Sequence, residues 1–282
     1  METQQKVRQF YNEVGWQMVE DGHYQNARYE DLRPVSREYI HRCHLRVNRF
    51  LNPSGRFMLD AGSGPVQYPE YLTYSEHYQK RVCLDISIVA LMEARKRLAD
   101  KGFYVVADAS QLPFKPECFD GLVSLHTLHH LQQPEQQKAY REFYRVLSPG
   151  GKGVVVNGWT QSKLMDQWRW LVALMEGLGN TWAILHGRKI KTVEKKAKTE
   201  SRPTGTFIKK MDAESLSDDL KGEIPFKIRV WRCVNVRFLR AVFHDLLGGR
   251  LWLKALFALE ERFPHYFGRV GQYPMVIIWK KD

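Results

Sequence analysis

Three aspartates each end a short apolar run in the first half of the chain: Asp60, Asp85 and Asp108. If the runs are neighbouring parallel strands, their carboxyl ends meet at one edge of the sheet and the three carboxylates line one crevice. Such a crevice repels phosphates and favours hydroxyl groups, amino groups and positive charge. Each aspartate taken alone could instead cap a helix. The regular placement of all three favours a ligand site.

The first aspartate is followed directly by the tripeptide Gly62–Gly64. Glycines at a strand exit allow a tight turn and let the backbone approach a ligand closely. A dinucleotide fingerprint needs a third glycine, and a P-loop needs a lysine, but Val66 and its neighbours supply neither. The loop is therefore poorly suited to a pyrophosphate. Asp85 follows about 20 residues later, where an acid at the end of a second strand bonds ribose hydroxyls.

These residues need a sheet to position them, and the sequence supplies an alternation of apolar and helical runs. We predict strands at 56–60, 81–85, 103–107, 119–125 and 152–157. We predict helices between them at 66–76, 87–99 and 134–146. This alternation indicates a mostly parallel sheet with helices on both faces.

The remaining chain extends this core on both sides. Residues 1–51 carry apolar positions at helical spacing. After the core we predict a tryptophan-rich helical stretch at 161–186, a basic loop at 187–207 and a helix that begins at Asp212. We then predict a strand from Phe226 to Phe238, a helical pair at 238–260 that is broken at two glycines, and a strand from Met275 to Trp279. We divide the chain into a cap (1–55), a core (56–160), an insertion (161–225) and closing elements (226–282).

Charge and composition limit the classes of function. The chain has 282 residues and a net charge of +12, most of it within 188–210 and 226–282. Such basic segments attract nucleic acid, anionic lipid or acidic substrates, or simply form a solvated face. No apolar run reaches the ~20 residues of a transmembrane helix, and the four scattered cysteines form no CxxC pair. We expect reduced thiols and a cytoplasmic protein.

Five motifs, LDAGSGP, CLDIS, ADASQLPF, FDGLVSLHTLHHL and RVLSPGGKGVVV, lie in order within residues 56–157. In order and spacing they resemble the class I S-adenosylmethionine-dependent methyltransferases, particularly the type 11-like branch that acts on small molecules. The resemblance implies a Rossmann-like, seven-stranded, mostly parallel sheet, with an N-terminal helical cap and an insertion in the C-terminal half. It also implies S-adenosyl-L-methionine as cofactor. Val66 departs from the family pattern, because a third glycine is frequent there.

The resemblance assigns cofactor contacts to strand ends and to the cap: Tyr11, Arg28, Asp60, Gly62, Ser63, Gly64, Asp85, Ile86, Asp108, Ala109, Ser124, Leu125 and His126. Asp85 would hold the ribose, and Asp108 would accept from the adenine amino group. Arg28 could pair with the cofactor carboxylate.

His126 is the candidate base, because imidazole titrates near neutral pH and the residue leaves the fourth strand at the implied pocket. No metal is expected. The family's motif for methylating amino groups of DNA bases is absent after that strand.

The segment 238–263 is apolar, aromatic and basic together. Such a segment can lie at a membrane interface, line a pocket for a lipid-like acceptor, or pack as a core helix pair. We expect a small, hydrophobic or lipid-like acceptor and peripheral contact with an anionic membrane. An RNA or protein methyltransferase and a non-catalytic cofactor-binding regulator are the alternatives. Nucleic acid is the less favoured partner, because the basic stretch lacks a recognised RNA-binding module.

Overall fold

A computed structural model describes residues 30–185 and 211–282 of the protein. Its strands are β1 Gly55–Ala61, β2 Tyr78–Asp85, β3 Gly102–Val106, β4 Phe119–Leu125, β5 Leu147–Val156, β6 Phe226–Arg232 and β7 Tyr273–Trp279. They form one seven-stranded sheet in the order β3-β2-β1-β4-β5-β7-β6. Strands β1 to β5 pair in parallel, and β7 is antiparallel to both of its neighbours. The predicted Rossmann-like, mostly parallel sheet is confirmed.

The α-helices in this part of the chain surround the sheet. They are α1 Pro34–Leu45, α2 Pro69–Thr73, α3 Ile88–Leu98, α4 Gln133–Val146, α5 Lys163–Gln167, α6 Arg169–Leu185, α7 Ala213–Leu220, α8 Val236–Val242, α9 Gly249–Arg262 and α10 Pro264–Val270. Side chains begin several of them, as in α3, where the Ser87 hydroxyl accepts a hydrogen bond from the backbone N–H of Ala90. At α7, Asp212 does the same for Ser215 at 2.8 Å, which confirms the predicted helix start.

Several predicted boundaries were wrong, and one helix was not predicted. Strands β2 and β5 begin at Tyr78 and Leu147, ahead of the predicted 81 and 152, because Tyr78 pairs with Gly55 and Leu147 with Phe119. The strand predicted from Phe226 to Phe238 ends at Arg232, because Asn235 accepts the N–H of Phe238 at 2.8 Å and begins α8. The helix predicted at 66–76 is only Pro69–Thr73, because the preceding residues form the glycine loop. Helix α10 follows α9 directly, with a proline in its first turn. The predicted loop at 187–207 lies outside the described residues, and the four-part division stays a prediction.

The strand register brings one set of strand ends together. Asp60 in β1 lies opposite Cys83 in β2 and Val123 in β4, so these three strands end at a common edge. Because β7 runs in the opposite direction, its first residue, Tyr273, lies beside Arg232 at the end of β6. The carboxyl edge of the sheet therefore collects residues that are far apart in sequence, as sites in open α/β sheets do.

A buried polar cluster attaches α9 to the rest of the molecule. The Glu260 carboxylate accepts hydrogen bonds from the Tyr39 hydroxyl at 2.8 Å and from the backbone N–H of Cys233 at 2.7 Å. It also pairs with Arg46 at 3.1 Å, and Arg46 donates to the Trp231 carbonyl at 2.5 Å. Since the Glu260 and Arg46 side chains are almost fully buried, this network fixes α9 against α1 and the end of β6.

Among the described helices, none combines the length and apolar character needed to cross a bilayer.

Candidate functional site

The glycine loop after β1 lies against β2 and the exit of β4. The N–H groups of Gly62 and Ser63 both donate to the Leu84 carbonyl, at 2.7 and 3.1 Å. Gly62 has a φ of +76°, and an added Cβ would lie 2.2 Å from the Thr127 side chain. Gly64 is also left-handed, with a φ of +52°. Gly62 is therefore required by the turn itself, and Gly64 adopts a conformation that favours glycine.

Val66 has a left-handed backbone at the position where the family pattern often has a third glycine. Its φ is +52°, and its side chain is fully buried. Arg97 holds this turn by donating to the Val66 carbonyl at 3.1 Å. A β-branched residue is rarely left-handed, and the strain costs roughly 1–2 kcal/mol. The backbone thus keeps a glycine-like conformation although the glycine is absent, which sequence analysis did not predict.

Asp85 is positioned by the same loop. One carboxylate oxygen accepts the N–H of Gly64 at 2.9 Å, and the other accepts the N–H of Ser87 at 2.8 Å. Burial raises the pKa of Asp85 to about 6, although these backbone hydrogen bonds act to lower it. Each carboxylate oxygen has two lone pairs, so the group can still accept from ligand hydroxyls.

Asp108 comes just after β3, at the same edge. The N–H of Ala107 donates to the Asp85 carbonyl at 3.2 Å, which keeps the two strand exits together. One carboxylate oxygen of Asp108 accepts from the N–H and the hydroxyl of Ser110, at 2.8 and 2.9 Å. Asp108 is half-buried and Ala109 is buried. The aspartate therefore organises its own turn while remaining partly accessible.

Asp60 has a different environment from the other two aspartates. Its carboxylate pairs with the Arg81 guanidinium at 2.5 Å, and both side chains are buried. Arg81 also donates to the Tyr71 carbonyl at 2.5 Å. The structure thus gives Asp60 a partner on β2 and a role in joining β1 to α2. Its predicted contact with the methionine part of the cofactor stays a prediction.

The exit of β4 supplies the next three predicted residues. The Ser124 hydroxyl donates to the Ala61 carbonyl at 2.8 Å, and the side chain is fully buried. Leu125 and His126 are partly accessible. Ile86, at the exit of β2, is also half-buried. These positions suit residues that line a pocket, whereas Ser124 holds two strands together.

His126 is left-handed, with a φ of +55°. Its N–H donates to the Val156 carbonyl at 2.7 Å. The ring makes edge contacts with Trp231, at a centroid separation of 5.0 Å, and with Tyr273, at 5.6 Å. An unusual backbone conformation at a strand exit is a frequent mark of a functional position.

The two rings that contact His126 and two further rings that continue from Trp231 form what we call the aromatic wall: His44, Tyr68, Trp231 and Tyr273. The His44 ring lies 4.7 Å from Tyr68 and 5.2 Å from Trp231. Burial lowers the pKa of His44 to about 3, so this ring is neutral. The wall therefore joins the glycine loop, through Tyr68, to the ends of β6 and β7.

A buried arginine supports the aromatic wall. The Arg232 guanidinium pairs with Glu30 at 2.5 Å and lies 4.7 Å from the ring of Tyr273 and 5.1 Å from that of Trp231. Sequence analysis missed these residues. The available signal was weak, because Trp231 lies within one predicted strand and Tyr273 lies two residues before another. Tyr11 and Arg28 lie outside the described residues, so their predicted contacts stay predictions.

The arrangement fits a nucleoside-bearing, positively charged ligand. Asp85 offers a buried acceptor beside the glycine loop, and Asp108 adds a second carboxylate at the neighbouring strand exit. These negative charges oppose a phosphate and favour a sulfonium or amine. No group of metal-ligating residues occurs within 30–185 and 211–282. The residues present therefore fit S-adenosylmethionine better than a nucleotide.

Comparison with protein families agrees with this geometry. A family model described as a methyltransferase domain matches residues 59–155. These residues are a class I, S-adenosylmethionine-dependent methyltransferase domain. This methyltransferase domain runs from Leu59 in β1 to Val155 in β5, and it includes β2 to β4, the glycine loop, Asp85, Asp108 and His126.

Curated relatives of the methyltransferase domain act on different classes of acceptor, according to their names. A tRNA (carboxymethyluridine(34)-5-O)-methyltransferase of Arabidopsis thaliana is 31% identical over 48% of this chain and 37% of its own length. A ubiquinone/menaquinone biosynthesis C-methyltransferase, UbiE, of Ruegeria sp. is 34% identical over 46% of this chain and 54% of its own length. The chain thus spans about half, or less, of these relatives.

The crystal structure of the [4+2]-cyclase SpnF has a similar fold over nearly the whole chain. The TM-score is 0.52 at 18% identity, and the match covers 99% of this chain and 97% of the cyclase. At this identity the similarity shows the fold alone. A protein named for a cyclisation therefore shares the architecture of the methyltransferase domain, and the reaction must be argued from the site.

Proposed function

We propose that the chain transfers a methyl group from S-adenosylmethionine to a small, hydrophobic or lipid-like acceptor. The observation that carries this proposal is the position of His126, which follows β4 at the carboxyl edge of the sheet and whose ring contacts the rings of Trp231 and Tyr273. The cofactor supplies an activated methyl group on a sulfonium. The protein's own tasks are alignment of the acceptor and exclusion of water.

His126 is proposed as the base of this reaction. When the methyl group passes from the sulfonium sulfur to an acceptor oxygen, nitrogen or carbon, the sulfur–methyl bond breaks and S-adenosylhomocysteine is released as a thioether. The acceptor loses a proton, and an imidazole nitrogen of His126 would take it. The His126 ring packs edge-on against Trp231 and Tyr273. Asp85 and Asp108 are proposed to hold the adenosine part, through the ribose hydroxyls and the adenine amino group.

The apolar character of the acceptor is supported by the aromatic wall, which presents ring surface rather than charge beside His126. Arg232, the cation that supports the wall, is buried and paired with Glu30. A cytoplasmic location with peripheral contact to an anionic membrane belongs to this proposal, because a lipid-like acceptor resides in a bilayer.

RNA is the second candidate acceptor, because one relative is named a tRNA methyltransferase. The basic residues of the C-terminal third would then contact phosphates. Several of them are already paired within the protein, such as Arg232 with Glu30 and Arg237 with Glu176. This pairing favours the hydrophobic acceptor.

A transfer experiment tests the proposal. The protein is incubated with cell extract and cofactor labelled in the methyl group, and the extract is then partitioned between organic solvent, RNA and protein fractions. We expect label in the organic fraction. Label in RNA or protein would instead support those acceptors. Binding of S-adenosylhomocysteine without any transfer would support a non-catalytic, cofactor-binding regulator.

A further inference from the structure

Helix α9 is apolar on two sides. Its inner side packs Leu253 and Phe257 into the core. Its outer side and the turns at its two ends expose large apolar residues, which together we call the docking face: Leu246, Leu247, Leu251, Trp252, Leu259 and Phe263. A helix on the surface of a globular protein usually carries polar residues on its outer side. The docking face is therefore typical of an interaction site.

These side chains are most exposed at and just before the start of α9. Leu246 is 97% exposed, Leu251 71% and Trp252 63%. Gly248, with a φ of +70°, separates the short 3-10 turn that carries Leu246 from the first turn of α9. The apolar residues on the two sides of this glycine are thus adjacent in the chain and all directed to solvent.

The charges around the docking face are basic. Arg250, Lys254 and Arg262 are exposed on the same helix. The two acids of α9, Glu260 and Glu261, are engaged with arginines of the N-terminal elements. Just before α9, Asp245 pairs with Arg250 at 2.7 Å. Within the described residues Lys254 makes no ion pair, so the net charge beside the docking face is positive.

The combination of bulky apolar residues and cations indicates what kind of partner binds the docking face. A second copy of the chain in a two-fold dimer would place identical surfaces together and bring these cations close to each other. In an anionic membrane, leucine and tryptophan side chains can instead enter the apolar acyl region, while lysine and arginine contact the negatively charged headgroups. Tryptophan is also favoured at the boundary between lipid and water.

We propose that the docking face binds the surface of an anionic membrane, with α9 lying parallel to the bilayer. This inference deepens the proposed function and rests on it for the class of acceptor, because a lipid-like acceptor would enter from the bilayer. The buried cluster around Glu260 makes the contact rigid: α9 is fixed to α1 and to β6, which carries Trp231 beside His126. Membrane contact is thereby connected to the aromatic wall.

Vesicle flotation at low salt tests the apolar part. The full chain should float with phosphatidylcholine vesicles that contain phosphatidylglycerol, and much less with phosphatidylcholine alone. The variant Leu246→Ser/Leu251→Ser/Trp252→Ser should bind the anionic vesicles about tenfold more weakly or worse. Met92→Ser is the matched control, because Met92 on α3 is 61% exposed; it should float like the wild type.

A charge variant tests the basic part. Lys254→Glu/Arg262→Glu should lower vesicle affinity by about tenfold or more, since each cation near an anionic surface contributes to binding. Lys115→Glu/Lys138→Glu changes the net charge equally at exposed positions elsewhere. If this control loses as much affinity, binding depends on net charge and the assignment of the face is wrong.

Three results would overturn the docking proposal. The first is no flotation of the wild type at low salt, and the second is unchanged flotation of the apolar variant. The third is a dimer in size-exclusion chromatography that the apolar variant dissociates, without any vesicle binding. Calorimetry with S-adenosylhomocysteine separates the two proposals: retained cofactor binding without flotation removes the docking face alone. Flotation without methyl transfer to any fraction removes the proposed function alone.

Discussion

The Asp85 carboxylate accepts the backbone N–H of Gly64 at 2.9 Å, so the acid at the end of β2 directly holds the loop that follows β1. Its second oxygen accepts from Ser87 at the start of α3. One buried carboxylate thus connects three segments at the edge of the sheet. Any change in its protonation alters the loop and the proposed cofactor contact together.

We predict that cofactor affinity depends on the protonation of Asp85. Burial raises the pKa of this group to about 6, and hydrogen bonds donated by ribose hydroxyls favour its ionised form. Affinity for S-adenosylhomocysteine should therefore be constant above pH 7 and fall as the pH drops through about 6. Calorimetry between pH 5 and 8 measures this.

Asp85→Asn should abolish that pH dependence and weaken binding by about 10- to 100-fold, the value of a hydrogen bond to a charged group. Asp108→Asn is the control and should keep the dependence near pH 6. A wild-type affinity that does not change across this range would contradict the ribose assignment. Thermal unfolding of both variants verifies that the fold is retained.

At Val66 we expect the glycine variant to be more stable than the alanine variant, which is the reverse of the usual order of the two substitutions. Val66→Ala removes buried methyl groups and keeps a residue with a Cβ in the left-handed conformation. Val66→Gly removes the Cβ as well as these methyl groups, but it relieves strain of roughly 1–2 kcal/mol. We expect the glycine variant to be more stable than the alanine variant by about 1 kcal/mol, measured by urea unfolding.

The reverse order, with alanine more stable than glycine, would show that the turn does not strain a residue with a Cβ. Val89→Ala and Val89→Gly form the comparison pair, because Val89 lies in α3 with ordinary helical geometry. There glycine should be the less stable by about 1 kcal/mol.

His126→Asn should remove the proposed base without disturbing the backbone, since asparagine tolerates a left-handed conformation. Transfer of labelled methyl to the accepting fraction should fall by about 100-fold or more. Binding of S-adenosylhomocysteine, measured by calorimetry, should fall much less than the rate, which separates a role as base from a cofactor contact. His130→Asn is the control and should keep the rate.

Glu260→Gln should destabilise the protein by about 3–5 kcal/mol, because the substitution breaks a buried ion pair and leaves Arg46 without this carboxylate. Urea unfolding gives the free energy. Glu223→Gln breaks the exposed pair with Arg141 and should change stability very little. Equal effects of the two substitutions would mean that the Glu260 cluster does not hold α9.

The parallel core was predictable because its signals are local. Apolar runs bounded by turn residues gave β1 to β5, and Asp212 marked a helix start through its own side chain. The Asp60–Arg81 pair was not predictable in this way. The pair forms only when β1 and β2 align so that the two side chains meet beneath α2, and the sequence alone does not reveal this alignment of the strands.

Two features of the site also required tertiary structure. The left-handed Val66 opposes the preference of its own residue type, so its conformation is imposed by neighbours such as Arg97. The aromatic wall depends on strand order, because Trp231 and Tyr273 meet only when β7 inserts antiparallel between β5 and β6. Residue patterns identified both strands but not their arrangement.

That strand order has a consequence for synthesis on the ribosome. Within the described sheet β6 pairs with β7 alone, so residues 226–232 must wait for residues 273–279 to be translated before they can join. The half of the sheet that carries Asp85 and Asp108 can fold while the nascent chain is still growing. A message cut short before the codon for Tyr273 would therefore yield a product that contains Asp85 and Asp108 but lacks Tyr273, and lacks the β7 pairing that places Trp231 beside His126.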